Sequence, residues 1–265
     1  MPSEESRKLE GATPLGVVTG GSSGIGAAIA RALARRGWRL VLLARGEERL
    51  REVADEIGAE HELCDVADRA EVDRVAAAIR ERHPAIRLLV NNAGMPGGGG
   101  FLELPPQQIE QLVRANYLGS VWCLRAFLPA LEAGAPADVV NIASVAGTIA
   151  AGHSGAYSAS KHAQLAFSRS VGVELAGSGI TVHTIIPGFI DTPGFPNRSR
   201  FRNRLLKALV AEPDLVADRV VRAVERDRLE QFVPRWYRPA AIVQAAAPAT
   251  LARAARARNM RRKPN

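Results

Sequence analysis

Residues 15–26 read LGVVTGGSSGIG and connect a short apolar run to a helix-forming segment, residues 27–34. Glycines at positions 20, 24 and 26 let the backbone turn sharply and approach a ligand closely. The start of the following helix offers free N–H groups and the positive end of a dipole, which suits a pyrophosphate. The spacing differs from the common G-x-G-x-x-G pattern, and a glycine-rich turn without a ligand is the alternative. Its place between a strand and a helix favours a nucleotide site.

Short apolar runs alternate with longer amphipathic segments along the whole chain. This alternation predicts a parallel sheet covered by helices on both faces. Because crossovers between parallel strands are right-handed, the predicted fold is α/β, a doubly wound sheet of about seven strands. We predict a flexible tail over 1–12, one domain over 13–235 and a C-terminal extension over 236–265. The predicted strands are 15–19, 39–44, 61–64, 87–90, 138–142, 181–186 and 231–233.

The composition is typical of a globular protein, since 47% of the 265 residues are hydrophobic. The longest apolar runs are shorter than the roughly 18 residues needed to span a bilayer. Residues 1–12 are polar and do not resemble a secretory leader. Cys64 and Cys123 show no CxxC spacing, so neither a disulfide framework nor a metal site is predicted. We expect a cytoplasmic protein.

The net charge of +8 is concentrated near the C-terminus. Glu230 is the last acidic residue, and without the cations that follow it the chain has 27 basic and 27 acidic residues. A basic segment containing Trp236 and Tyr237 suits the surface of an anionic membrane. Packing on a neighbouring subunit and a solvated tail are the alternatives. The cations after Glu230 are Arg235, Arg238, Arg253, Arg256, Arg258, Arg261, Arg262 and Lys263.

Tyr157 and Lys161 are four residues apart in a helix-forming segment, and Ser144 follows the apolar run 139–142. Residues with this spacing lie on the same face of a helix, so the ammonium is expected near the phenol. A free tyrosine has a pKa of about 10, and a neighbouring cation lowers that pKa. With a serine hydroxyl beside them, these residues indicate proton transfer at an alcohol or carbonyl. An ordinary helix with a buried tyrosine and a solvated lysine is the alternative.

The residue at the end of the second strand is expected to select the cofactor. An acidic side chain there would bind the ribose 2′-hydroxyl of NAD, whereas a basic one accommodates the 2′-phosphate of NADP. Here the strand ends at Arg45, whose planar guanidinium suits a phosphate. The sequence therefore predicts a preference for NADP(H) over NAD(H), with a solvated loop arginine as the alternative.

Several short motifs occur in the order and at the intervals of one family. Jointly they resemble the short-chain dehydrogenase/reductase superfamily over about residues 14–235. The resemblance implies a Rossmann-type fold and an NAD(P)-dependent oxidoreductase that interconverts a carbonyl and a primary or secondary alcohol. It also implies a homodimer or homotetramer. The motifs are TGGSSGIG at 19–26, NNAG at 91–94, Asn116, Ser144, Tyr157-x-x-x-Lys161 and Pro187-Gly188.

The resemblance implies a role for each matching position. Tyr157 would be the general acid in reduction and the base in oxidation, and Lys161 would lower its pKa and hold the nicotinamide ribose. Ser144 would orient and polarise the substrate oxygen, and Asn116 would help to maintain a proton relay through Lys161. The residues implied to contact the cofactor are Gly20, Ser22, Ser23, Gly24, Ile25, Gly26, Arg45, Asp65, Val66, Asn92, Ala93, Gly94, Tyr157, Lys161, Pro187, Gly188, Ile190 and Thr192.

In this family the segment after Pro187-Gly188 sets substrate specificity, and here residues 189–210 are the expected lid. Apolar residues alternate in it with arginines, which favours a hydrophobic ketone or alcohol as the substrate. An amphipathic helix packed on the domain is the alternative. The candidate substrate contacts are Ser144, His153, Tyr157 and Phe189, although His153 is equally consistent with a surface loop.

The alternative is a protein that has this fold but no catalytic activity. Such a protein would be a nucleotide sensor or scaffold whose basic tail binds a membrane surface or nucleic acid. The presence of Asn116, Ser144, Tyr157 and Lys161 argues against lost catalysis. The neutral domain shows no nucleic-acid-binding motif, which argues against a nucleic-acid partner. The sequence therefore favours an enzyme.

Overall fold

The computed structural model describes residues 13–97, 99–150, 154–193, 210–250 and 252–253. Their seven strands are all parallel and form one sheet in the order β3-β2-β1-β4-β5-β6-β7. The predicted doubly wound α/β fold is therefore confirmed. The strands are β1 (Leu15–Thr19), β2 (Arg39–Ala44), β3 (Glu60–Leu63), β4 (Leu88–Asn91), β5 (Ala137–Ile142), β6 (Ile180–Pro187) and β7 (Glu230–Val233). The helices are α1 (Gly24–Ala34), α2 (Glu47–Ile57), α3 (Arg69–Arg82), α4 (Pro106–Val113), α5 (Gly119–Ala133), α6 (Gly155–Glu174), α7 (Pro213–Arg226) and α8 (Arg238–Ala246).

The central strands are apolar on both faces because helices cover the sheet on both sides. Every residue of β1 is buried. Its consecutive residues Val17 and Val18 belong to different apolar clusters, because side chains alternate between the two faces along a strand. Residues of α1, α2 and α7 form the cluster on one face. Residues of α3, α5 and α6 form the cluster on the other.

The strand order places β1 between β2 and β4. The chain therefore winds from β1 toward one edge of the sheet through β2 and β3, and from β4 onward it winds toward the other edge. In a doubly wound sheet this reversal opens a crevice beyond the carboxyl ends of the strands, where ligands bind. The predicted glycine loop follows β1, and Asn91 ends β4. The fold therefore brings these two motifs together at the mouth of the crevice.

The chain after β7 forms a single turn, Arg235–Tyr237, followed by α8. The sequence places Tyr237 in the C-terminal extension, yet the side chain is buried in a third apolar cluster with Leu165, Ile186 and Phe232. Along α8, by contrast, no residue is buried. The first residues of the predicted extension therefore pack as part of the domain.

None of the helices in the described ranges is both long and apolar enough to cross a membrane. Cys64 and Cys123 are free and buried. Burial raises the pKa of the Cys64 thiol to about 12 and raises that of Cys123 as well. Both thiols are therefore protonated and unreactive near neutrality.

Candidate active site

A cavity of about 1080 Å³ opens at the carboxyl ends of the central strands. The sequence-predicted site residues Asn116, Ser144, Tyr157 and Lys161 all line it, together with Phe189. Most of the predicted cofactor contacts line it too: Gly20, Ser22, Ser23, Gly24, Ile25, Arg45, Asp65, Val66, Asn92, Ala93, Gly94, Pro187, Gly188, Ile190 and Thr192. We call the part near Gly20, Arg45 and Asp65 the nucleotide end, and the part near Gly188, Phe189 and Tyr237 the substrate end.

The glycine loop forms a turn that side chains would block. Gly20 and Gly24 have φ angles of +69° and +54°, in the left-handed region that favours glycine. Ser23 precedes α1 in an extended conformation, and no side-chain hydrogen bond from Ser23 caps the helix in the described structure. The first N–H groups of α1 are therefore open to an anionic ligand, as the sequence predicts.

Gly26 is the predicted cofactor contact that does not line the cavity. A Cβ atom on Gly26 would lie 2.1 Å from the carbonyl oxygen of Gly20 and 2.5 Å from Nδ2 of Asn92. This glycine allows α1 to pack directly against the loop. Its role is to hold the shape of the loop.

Asn92 and Thr19 fasten the loop to the end of β4. The amide Nδ2 of Asn92 donates to the carbonyl oxygens of Thr19 at 3.0 Å and Gly20 at 3.3 Å. In return, the Thr19 hydroxyl accepts from the backbone N–H groups of Asn92 and Ala93, both at 3.0 Å. Asn92 thus positions the backbone that faces the nucleotide end.

Arg45 and Asp65 lie together at the nucleotide end. Their nearest charged atoms, Nη1 and Oδ2, are 3.8 Å apart, and the side chains are 65% and 37% exposed. Such an open pair is weakly bound, because water screens both charges. The guanidinium is therefore free to turn toward a phosphate.

Asn116 lies in a π-helical turn, Arg114–Leu118, between α4 and α5. Its side chain is fully buried, and Oδ1 accepts from the N–H of Met95 at 2.7 Å. Its Nδ2 group donates to the carbonyl oxygen of Met95 at 3.2 Å and to the hydroxyl of Ser160 at 3.0 Å. Insertions of this kind in helices often occur at functional sites. Here the insertion ties the loop after β4 to the helix that carries Tyr157 and Lys161.

Tyr157 is hydrogen-bonded to Ser144, which follows β5. Burial of most of the ring raises the pKa of Tyr157, and the hydrogen bond from Ser144 lowers it by a smaller amount. The sequence predicts the opposite net direction, from the charge on Lys161. The difference arises because spacing along a helix does not reveal how completely a side chain is removed from water.

Lys161 is buried, and its ammonium group donates to the carbonyl oxygen of Ile142 at 3.1 Å and to Oε1 of Gln164 at 2.8 Å. Burial lowers the pKa of Lys161 to about 7. The lysine is therefore close to its midpoint of titration at neutral pH. The alternative of a solvated lysine does not hold in this structure.

Sequence reasoning did not identify Gln164, which connects Lys161 to α5. Its side chain is fully buried, and Nε2 donates to the hydroxyl of Ser120 at 2.9 Å while Oε1 accepts from Lys161. The available signal was a polar residue three positions after the lysine, on the same helical face. The spacing alone does not show that Gln164 is buried between Lys161 and Ser120, and this burial is what makes Gln164 a functional candidate.

Tyr237 is the second functional candidate that sequence reasoning did not single out. It lines the cavity beside Gly188 and Phe189. Four other expectations fall wholly or partly outside the described residues: the tail 1–12, His153, most of the lid 189–210, and residues 251 and 254–265 of the predicted extension 236–265.

A family model described as short chain dehydrogenase matches residues 15–203 of this chain. A protein from Streptomyces coelicolor named as a ketoacyl reductase is 42% identical over 185 residues, which are 67% of this chain and 70% of that protein. The structure of a short chain dehydrogenase/reductase from Burkholderia phymatum in complex with NAD has a TM-score of 0.80 at 26% identity, over 97% of this chain and 98% of that one. The structure of an actinorhodin polyketide ketoreductase variant with NADPH has a TM-score of 0.73 at 33% identity, over 82% of this chain and 94% of that one.

Proposed function

This chain belongs to the short-chain dehydrogenase family, and we propose that it interconverts a hydrophobic ketone and its alcohol with NADP(H), using Tyr157 as general acid and base. Its membership makes it an NAD(P)-dependent oxidoreductase that acts on CH–OH groups. The main support for Tyr157 as the general acid and base is that Ser144, Tyr157 and Lys161 line the same cavity as the glycine loop. The relatives named for ketoacyl and polyketide reduction support a carbonyl substrate.

The nucleotide end fits the pyrophosphate and adenosine of such a cofactor. Left-handed glycines and the open N–H groups of α1 form a cradle that a side chain would fill. Gly20, Ser22 and Ile25 would hold the pyrophosphate, and Asp65 and Val66 the adenine. When bound, the nicotinamide supplies the hydride, and the protein supplies position and electrostatics.

Tyr157 would donate its proton to the substrate oxygen during reduction and accept one during oxidation. Burial favours the neutral phenol, which is the form a general acid requires. Ser144 would donate a second hydrogen bond to the same oxygen and polarise the carbonyl. The ammonium of Lys161 would stabilise the phenolate left after proton transfer, and Asn116 would keep α6 aligned through Ser160.

The lining of the substrate end supports a hydrophobic substrate. Met95, Pro96, Val145, Ile149 and Phe189 line the same cavity as Ser144 and Tyr157. A pocket lined mainly by apolar side chains, with a few placed polar groups, favours an apolar ligand held through one oxygen.

The preference for NADP(H) is supported by Arg45 at the nucleotide end. A guanidinium can bind the 2′-phosphate through two hydrogen bonds, and NADPH is bound in the related ketoreductase structure. The related structure from Burkholderia phymatum holds NAD. The preference is therefore tested by measuring kcat/KM of this protein with each of the two cofactors. We expect kcat/KM to be at least about tenfold higher with NADPH than with NADH. Comparable or better efficiency with NADH would refute the preference.

The function is tested by following NADPH oxidation with a panel of hydrophobic ketones, for the wild type and for Tyr157→Phe. Loss of the acid should lower kcat by about 100-fold or more, while the variant folds normally and binds NADPH with its affinity changed by no more than about twofold. Tyr117→Phe is the matched control, because Tyr117 packs edge-on to Phe167 outside the cavity. Activity of Tyr157→Phe above about 5% of wild type would contradict the mechanism.

We also propose that the basic C-terminal surface contacts anionic membranes. A groove of about 760 Å³ is lined by the arginines at 219, 222, 226, 228, 235 and 238. Ile242 also lines the groove, and Ile242, Trp236 and Val243 are about half exposed. Exposed apolar side chains next to cations suit a lipid surface. Flotation with phosphatidylglycerol vesicles at low salt tests this contact, and absence of binding there would exclude it.

Two further expectations remain proposals about the enzyme as a whole. The family resemblance supports a homodimer or homotetramer, and light scattering at several concentrations would reveal a monomer if this is wrong. The free, buried thiols support a cytoplasmic location. Fractionation of cells would test that location.

A further inference from the structure

Tyr237 lies in the turn after β7, outside every motif that defines the family in this chain. Its side chain is 7% exposed, whereas its neighbour Trp236 is 48% exposed and stacks on it with a centroid distance of 3.8 Å. Tyr237 lines the same cavity as Tyr157. The C-terminal segment therefore contributes a wall to the active site.

The ring of Tyr237 occupies the space beside Gly188. A Cβ atom on Gly188 would lie 1.9 Å from Cε2 of the ring and 2.3 Å from Cζ. Since Gly188 has no side chain, the ring can lie directly on the backbone after β6. Phe189 packs against the same ring edge-on, with centroids 6.5 Å apart. These contacts fix the ring in one place at the substrate end.

The hydroxyl of Tyr237 has a hydrogen to donate. Its oxygen accepts from the backbone N–H of Phe189 at 3.3 Å. A phenol that accepts one hydrogen bond can still donate another. Burial raises the pKa of Tyr237, so the hydroxyl keeps this hydrogen over the working range of pH.

We propose that Tyr237 determines substrate specificity: its ring closes the substrate end, and its hydroxyl donates a hydrogen bond to a second oxygen of the substrate. The preferred substrates are then ketones that carry another acceptor, such as keto esters or diketones. This inference rests on the proposed function, because it concerns the same reduction in the same cavity. The role is one of selection, separate from the proton transfer at Tyr157.

The hydroxyl is tested by comparing two ketones of similar size, ethyl acetoacetate and 2-heptanone, with NADPH as the reductant. For Tyr237→Phe we expect kcat/KM to fall about tenfold with the keto ester and to change by no more than about twofold with the simple ketone. The dissociation constant of NADPH should stay the same, and Tyr117→Phe should alter neither reaction. Equal effects on both ketones, or no effect on the keto ester, would overturn the proposal.

The position of the Tyr237 ring is tested without enzyme turnover, by thermal unfolding of a double-mutant cycle between Gly188 and Tyr237. Gly188→Ala should lower Tm by about 5 °C in the wild type, because the new methyl group competes with the ring. In the Tyr237→Ala background the same change should lower Tm by no more than about 1 °C, since the space is then free. Equal losses in both backgrounds would show that the ring does not occupy this position and would overturn the proposal.

The two tests separate this inference from the proposed function. If the wild type reduces no ketone although Gly188 and Tyr237 are coupled in unfolding, the proposed function fails, and the proposed choice of substrate fails with it. If the wild type reduces ketones but the coupling is absent, only the role of Tyr237 fails.

Discussion

The two ends of the cavity differ in what forms them, although both join segments that follow neighbouring strands: Thr19 and Asn92 lie at the ends of β1 and β4, and Phe189 and Tyr237 follow β6 and β7. The nucleotide end is formed mainly by backbone, and the hydrogen bonds of Asn92 and Thr19 hold it in place. Side chains from different parts of the chain form the substrate end. Glycines in the sequence therefore point to the nucleotide end, whereas the substrate end depends on which side chains meet there.

The largest effect is expected where the nucleotide end has least free space. Gly26→Ala places a methyl group 2.1 Å from the carbonyl oxygen of Gly20, which is backbone and cannot turn away. We expect a loss of about 3 kcal/mol in the free energy of unfolding. Because the loop must shift, the affinity for NADPH should fall as well. Urea unfolding and NADPH titration would measure the two losses.

The matched control is Gly172→Ala, in the interior of α6. There the nearest atom to a new Cβ is Cβ of Val182 at 3.5 Å, an ordinary contact. Alanine also favours helix, so stability should stay the same or rise by up to about 1 kcal/mol. If both substitutions cost the same free energy, the close packing at Gly26 does not shape the nucleotide end.

Lys161 lines the cavity, and its burial makes stability depend on pH. In the folded enzyme the pKa of Lys161 is about 7, below its usual 10.5, so the unfolded chain binds this proton more tightly. The burial penalty therefore applies fully below pH 7 and is relieved as the pH rises toward 10.5. Relative to Lys161→Met, which does not titrate, the wild type should gain about 2 kcal/mol of unfolding free energy between pH 7 and pH 9.

Urea unfolding of both proteins at pH 7, 8 and 9 measures this gain. Other ionisable groups are common to the two proteins, so their contributions cancel in the difference. Parallel stability curves would mean that Lys161 keeps its ordinary pKa in the folded state. The lysine would then be a permanent cation beside Tyr157, as the helix spacing alone suggests.

Much of the fold could be predicted because the relevant signals are local. The alternation of apolar runs located β1 and β2 at their observed bounds and β3 and β4 within one residue. The glycines after β1 identified the loop, since a turn in the left-handed region favours glycine. Local propensity and hydrophobic period were sufficient for these elements.

The rest depended on tertiary contacts that spacing does not encode. The π-helical turn at Arg114–Leu118 adds a residue to a helix, and the apolar period gives no sign of it. The direction of the pKa shift of Tyr157 is set by burial, which outweighs the hydrogen bond from Ser144. Tyr237 reaches the cavity only because Gly188 leaves room for its ring. These features arise from packing between distant segments.

The smallest effect is expected at Arg45, and it tests whether the two ends act independently. Arg45→Ala removes the guanidinium proposed to bind the 2′-phosphate, which should lower kcat/KM for NADPH about tenfold and that for NADH by no more than about twofold. Arg49→Ala, an exposed arginine in α2, should leave both values unchanged. The KM for the ketone should be the same in all three proteins, because Arg45 lies at the nucleotide end. An increase of about tenfold in that KM for Arg45→Ala would mean that the two ends are coupled, and cofactor choice would then also influence which ketone is reduced.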